Sequence, residues 1–158
     1  MILLRVRCMA LRLAAPLLVS VLAFAAPAVA QERSAHANYI LRCAGCHGLT
    51  GTGAPAAGIA DFNDAVGAFT RTDDGRTYLM HVPGIAASRL SDEDIAAVLN
   101  YVVETWAGTS RPEDYVPFTA EEVTQRRALA IPDVVAFRRE VVEALAAMGI
   151  DTAPYPWD

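Results

Sequence analysis

The chain contains no lysine: all 13 of its basic residues are arginine, set against 18 acidic residues, for a net charge of −5. An acidic chain without a basic tract excludes nucleic acid as the main partner. Cysteine is scarce, three in 158 residues, which excludes a disulfide-built scaffold. No catalytic triad, phosphate-binding loop or paired-carboxylate site is present. The acidic pairs Asp73-Asp74, Glu113-Asp114 and Glu121-Glu122 read as solvated caps at turns and helix starts. The hydrophobic fraction, 54% with a mean hydropathy of +0.28, is high for a soluble domain and short of a multi-span membrane protein. It is also too high for a disordered chain. The length suits one domain with an appendage.

The apolar excess sits at the front. Arg5, Arg7 and Arg12 precede an apolar run from Leu13 to Ala26, and Ala28-Val29-Ala30 forms a small-x-small cleavage site. This is the pattern of a secretory signal peptide, with Gln31 starting the mature chain. The rival reading, a membrane anchor, fits less well, because the run is short and interrupted by Pro16. Cys8 precedes the run, whereas a lipoprotein cysteine would follow it. Cleavage would leave 10 basic against 18 acidic residues, a charge of −8, and only Cys43 and Cys46. The expected product is exported, periplasmic, acidic and without a stable membrane span.

Those two cysteines stand in Cys43-Ala44-Gly45-Cys46-His47. C-x-x-C-H is the attachment site for c-type haem. On a helix, positions 43 and 46 lie one turn apart on nearly one face, so both thiols reach the two vinyl groups of one porphyrin. His47 follows at once as the proximal iron ligand. Ala44 and Gly45 are small enough to let the ring approach. A thioredoxin-like pair would want a βαβ setting, a zinc site two further ligands, and a Cys43–Cys46 disulfide a strained loop.

The segment resembles a class I monohaem cytochrome c. The resemblance implies an all-α fold: a cytochrome c-like helical domain around one covalent haem c, here with a two-helix C-terminal extension. Glu32 to Cys46 fits the first helix, with Ala35, Tyr39 and Leu41 to Cys43 facing inward. Gly48 to Pro55 matches the family's Gly-rich loop. Family members place a proline further on whose carbonyl orients the proximal His. Ala60 stands near that place and still has a carbonyl to offer. Ser91-Asp92-Glu93-Asp94 caps the closing helix, Ile95, Val98, Leu99, Val102 and Trp106 form its apolar stripe, and Gly108 stops it. Tyr101 and Trp106 are read as helix-packing residues. His36 is expected on an exposed face.

The sixth ligand departs from the family. Where a class I member has Met-Pro, this chain has Val82-Pro83, and valine cannot bind iron. His81 is the distal candidate, Met80 the alternative, and an open iron the third possibility. Met148 reads as helix packing. Gly75-Arg76, Tyr78-Leu79, Val82 to Gly84, Val98 to Tyr101 and Phe118 to Val123 also resemble a subgroup of small periplasmic cytochromes. Arg76 is read either as a propionate partner or as a surface residue in a turn, and Asn100 as a haem-edge or backbone partner.

The chain divides into a leader (1–30), a cytochrome domain (31–108) and an extension (109–158). Residues 109–117 read as a surface linker. Thr119 to about Ala130 and Val134 to Met148 read as helices, with Arg138 and Arg139 turned to solvent and Asp151 to Asp158 frayed. The extension either wraps the domain or docks a partner. The expected role is not enzymatic: a carrier of single electrons from a dehydrogenase donor to a cytochrome or oxidase acceptor. The alternatives are a haem with an open distal site, acting on gases or peroxide, and a fixed cytochrome subunit of a dehydrogenase complex. The carrier reading expects a stable reduced form that does not bind carbon monoxide, and ready binding at neutral pH would count against it.

Overall fold

Helix starts are written into this chain as side-chain caps, and the computed structural model places a helix after each of them. It describes residues 34–156; the leader and Cys8 lie outside the described residues. Ser34 accepts from Ala37 N ahead of α1 (Ala35–Arg42), and α2 (Ala44–His47) follows after Cys43. Thr72 accepts from Gly75 N at the head of α3 (Asp73–His81), and α4 (Pro83–Ala86) opens on a proline. Ser91 accepts from Asp94 N to begin α5 (Asp92–Trp106), whose first turn carries three acids. Thr119 caps α6 (Ala120–Arg127) and Asp133 caps α7 (Val134–Ala147). Such caps are each worth about 1 kcal/mol. Short 3-10 turns at Pro55–Ala57, Val66–Thr70 and Gly108–Ser110 complete the set. The described residues contain no strand, only an isolated bridge between Ala54 and Ile59.

The core is a crossing of the first and last helices of the cytochrome segment. Tyr39 on α1, 1% exposed, packs on Tyr101 and Trp106 of α5 with ring centroids 5.7 and 4.7 Å apart. Asn38 donates to Asp94 at 2.8 Å and ties the same two helices at their edge. Ile95, Val98, Leu99 and Val102 are buried, as the stripe on α5 predicts. Burying each such side chain is worth roughly 1.5–3 kcal/mol. Leu41 corrects the inward face assigned to α1, since it is 58% exposed. Leu41 stands two positions after buried Tyr39, about 200° further round α1, so it faces solvent, and Arg42 is exposed as well.

The described residues fall within one compact unit, so the extension is packed rather than trailing. The α6 helix lies against α5 and α3, and α7 lies against α3. Asn100 on α5 is the clasp: its Oδ1 accepts from Phe118 N (2.8 Å) and Tyr115 OH (2.7 Å), and its Nδ2 donates to Phe118 O (2.9 Å). Of the two roles open to Asn100, backbone partner is the one the structure supports. Arg76 corrects both of its readings. It lies on a helix rather than in a turn, and its guanidinium meets Glu122 of α6. Arg138 is 2% exposed, not turned to solvent, while Met148 at 59% is not a packing residue. The rotation of α7 explains both: Arg138, Val141 and Leu145 share the buried face, and the helix ends before Met148.

Candidate functional site

The segment Cys43–His47 is built as a kink between two short helices. Cys43 N–H bonds back to Tyr39 O and closes α1, while Cys43 O accepts from both Cys46 N and His47 N and opens α2. Gly48, at φ +72°, ends that turn in a conformation that suits glycine. The three chemically active side chains therefore project from one turn and a half of backbone. All three line a cavity of about 400 Å³. Both thiols are free, Cys43 half-buried and Cys46 exposed.

His47 is held in one orientation. Its ring stacks on Phe62, with centroids 4.1 Å apart and planes 18° from parallel. Its Nδ1 donates to the carbonyl oxygen of Ala60 at 3.1 Å. A carbonyl only accepts, so Nδ1 carries the proton and Nε2 is left with its lone pair. Burial lowers the His47 pKa from its ordinary value, and the bond to Ala60 only partly offsets that. The neutral imidazole, which is the metal-binding form, is thereby favoured. Burial, with a smaller contribution from the Cys46 thiol, pushes the Cys43 thiol up.

The Ala60 carbonyl is itself positioned by a close approach. Gly53 has φ +57°, and a Cβ there would meet the Ala60 carbonyl oxygen and lie 2.6 Å from that of Ile59. Only glycine allows this loop to lie so near the segment that orients His47. The hydrogen bond expected from Ala60 is present, in the place where relatives have a proline.

The wall beyond Ala60 and Phe62 is apolar, with Val66, Phe69, Leu79, Val82, Pro83, Ile85, Val98 and Leu99. The two side chains expected as second axial donors lie away from the cavity. Neither Met80 nor His81 lines the cavity. Met80 is 1% exposed inside the core cluster, and the ring nitrogens of His81 lie 2.9 Å from the carbonyl oxygens of Thr77 and Leu129. The reason is helical rotation: Tyr78, Leu79 and Val82 face the cavity, so positions 80 and 81 face elsewhere. Tyr101 and Trp106 pack between helices, as expected, and His36 is exposed with a hydrogen bond to Tyr101 OH.

Sequence reasoning missed Phe62, Val66 and Phe69, and also three cavity residues from the extension, Arg138, Ala153 and Tyr155. Arg138 donates from Nη2 to Ala153 O at 2.8 Å, and its guanidinium lies 4.4 Å from the centroid of the Tyr155 ring. The tail is therefore a wall of the site and not a frayed end. No local signal in residues 151–156 announces this, because the rest of the cavity is built mainly from residues 42–102, far earlier in the chain.

The donor set fits covalent haem: two thiols one helical turn apart, a neutral imidazole with one nitrogen anchored, and an apolar cavity beside all three. No protein-family profile matches the chain. Cytochrome c-552 of Thermus thermophilus is 33% identical over 125 residues, covering 66% of this chain and 95% of that protein. A second cytochrome c-552 of the same organism is also 33% identical over 125 residues, covering 84% of its own length. The chain belongs to the class I c-type cytochromes. The cytochrome is all-α, and its cofactor class is covalent haem c, the group that makes this family electron-transfer proteins. No described helix of the cytochrome is long and apolar enough to cross a membrane.

Proposed function

We propose that this cytochrome is an exported, periplasmic one-electron carrier, with haem held through Cys43 and Cys46 and iron held on its proximal side by His47. The observation that carries the reading is the His47–Ala60 hydrogen bond beside two free thiols at the rim of one apolar cavity. The bound haem supplies reversible one-electron chemistry at its iron. The chain supplies everything that tunes it. Ala60 fixes the imidazole tautomer and raises its donor strength, and Phe62 fixes the ring plane. The aliphatic wall and the packed tail exclude water and disfavour extra charge on the iron. Cys46 is the exposed member of the thiol pair, so a haem held there would be reached by partners from that side.

The partners implied are a periplasmic dehydrogenase as donor and another cytochrome or an oxidase as acceptor. The −8 charge left after leader cleavage favours a basic docking face and a rate that falls with salt. The leader at 1–30, the haem domain at 31–108 and the extension at 109–158 belong to the same proposal.

The test is expression with export and haem-maturation machinery. Wild type should be recovered outside the cytoplasm, lacking residues 1–30 and carrying one haem that survives denaturing electrophoresis. Cys43→Ala/Cys46→Ala should carry none, and His47→Ala should lose the wild-type absorbance changes on reduction. Haem bound as firmly by the double variant as by wild type would refute the assignment.

A further inference from the structure

We infer that the second axial position of the haem iron is filled by no side chain of the described residues, and that the aliphatic wall around Val82 instead receives a small neutral diatomic ligand. The inference rests on the covalent-haem part of the reading above and not on its carrier part, to which an open distal site is the alternative.

A second axial donor from this chain would have to be a methionine or histidine able to enter the cavity. Besides His47, the described methionines and histidines are His36, Met80, His81 and Met148, and none lines the cavity; His36 is exposed and pairs with Tyr101 OH. Met80 is fully enclosed in the core. Bringing it round would mean rewinding α3, which Thr72 caps and which Arg76 binds to Glu122 at two points of 2.6 Å. His81 has its ring nitrogens 2.9 Å from the carbonyl oxygens of Thr77 in its own helix and Leu129 of the extension, so whichever nitrogen carries the proton donates to one of them. Met148 lies on a separate polar groove with Arg76 and Glu122. Among the described residues that line the haem cavity, the imidazole and sulfur donors are His47, Cys43 and Cys46.

What stands in the expected place is hydrocarbon. Leu79, Val82, Pro83 and Ile85 present methyl and methylene groups, and Phe69 adds a ring. Such a wall cannot solvate an anion and suits only a ligand with little desolvation cost. Carbon monoxide and nitric oxide are of that kind. Tyr155, which also lines the cavity, is stacked beneath the Arg138 guanidinium.

The experiment uses the purified, matured holoprotein and carbon monoxide alone. A pyridine haemochrome assay comes first: absence of covalent haem would overturn the functional reading together with this inference. With haem present, the dithionite-reduced protein should take up one equivalent of carbon monoxide, seen as a sharpened and shifted Soret band. Met80→Ala and His81→Ala should bind it with unchanged affinity. Val82→Met, which returns a thioether to the family's slot and adds bulk, should weaken binding about tenfold or more. A wild-type spectrum indifferent to carbon monoxide overturns this inference and leaves the carrier reading standing. Binding gained only in Met80→Ala or His81→Ala overturns it too, as would a tyrosinate charge-transfer band in the oxidised protein. Unchanged affinity in Val82→Met would place the ligand away from this wall and overturn the assignment.

Discussion

Arg76 donates from Nε and Nη2 to the two carboxylate oxygens of Glu122, both at 2.6 Å, across 46 positions of sequence. The same guanidinium donates to Val116 O and lies 3.9 Å from the Phe118 ring centroid. Both side chains are largely shielded, so the pair joins α3 to α6 rather than decorating a surface. Lysine cannot reproduce two parallel bonds and a stacked plane. Arg76→Lys should therefore cost about 2–4 kcal/mol in urea denaturation of the holoprotein. Glu122→Gln should cost a similar amount, and the double variant clearly less than their total. Additive losses would mean that the pair is not coupled.

Acid should loosen the extension first. The Asp73 carboxyl is held below its usual value by the Arg126 hydrogen bond and charge, and Asp92 by hydrogen bonds from Thr124 and Arg127. Burial pushes Glu122 up, but the bonds from Arg76 and Arg126 outweigh it and its net shift is downward. Depressed carboxylates stabilise the fold above their unfolded pKa and lose that contribution as pH falls through the folded value. The window opens near pH 4 and extends below it. Hydrogen exchange in α6 should accelerate there before exchange in α5, and Glu122→Gln should flatten the dependence. Synchronous loosening of both helices would contradict this.

At the alkaline end, two phenols should titrate late. Burial is the main cause that pushes Tyr39 and Tyr115 up to about 12, from an ordinary 10.0. Each donates its proton to a fixed acceptor, Tyr39 to Gly48 O at 2.6 Å and Tyr115 to Asn100 Oδ1. A raised pKa contributes stability below the unfolded value and loses it as pH rises through the folded one, here between about 10 and 12. Ultraviolet titration should show these two phenolates appearing together with unfolding. Tyr39→Phe should remove one of them and soften the alkaline transition.

Gly53→Ala should disturb His47 without touching it. The added methyl meets the Ala60 carbonyl, and the backbone there has φ +57°. A stability loss of about 2 kcal/mol or more is expected. A loss of stability alone would fit a merely structural glycine. The positioning role also requires a shifted reduction potential and a shifted His47 Nδ1–H resonance, which Gly53→Asn should not restore: asparagine tolerates a positive φ, but its Cβ meets the same carbonyl.

Much of the helical framework is legible because its signals are local. Caps at Ser91, Thr119 and Asp133 and the stripe from Ile95 to Trp106 each lie within a few residues of what they specify. The α3 helix is less legible, since Asp73-Asp74-Gly75 reads equally well as a turn, and Thr72 as its cap becomes evident only once Gly75 N is seen bonded to it. For the site, Cys43, Cys46 and His47 stand adjacent in sequence, and even the Ala60 carbonyl is legible from its place after the Gly-rich loop. Phe62 and Tyr155 carry no such mark, because an aromatic residue in a loop looks the same whether it meets solvent or an imidazole.

Sequence alone determined the thiol spacing on which the proposed attachment rests, since positions one helical turn apart are set by backbone geometry and need no distant partner. It also determined that valine replaces a possible iron donor at position 82. Tertiary structure decided what becomes of the neighbours of that valine. His81 and Met80 are one and two residues from the slot, yet the rotation of α3 sends the first to Leu129 and the second into the core. The same packing turned a tail that reads as frayed into a wall of the cavity, through Arg138 and Ala153. Side-chain direction in a helix follows its phase against the rest of the fold, and only the packing of α3, α6 and α7 sets that phase.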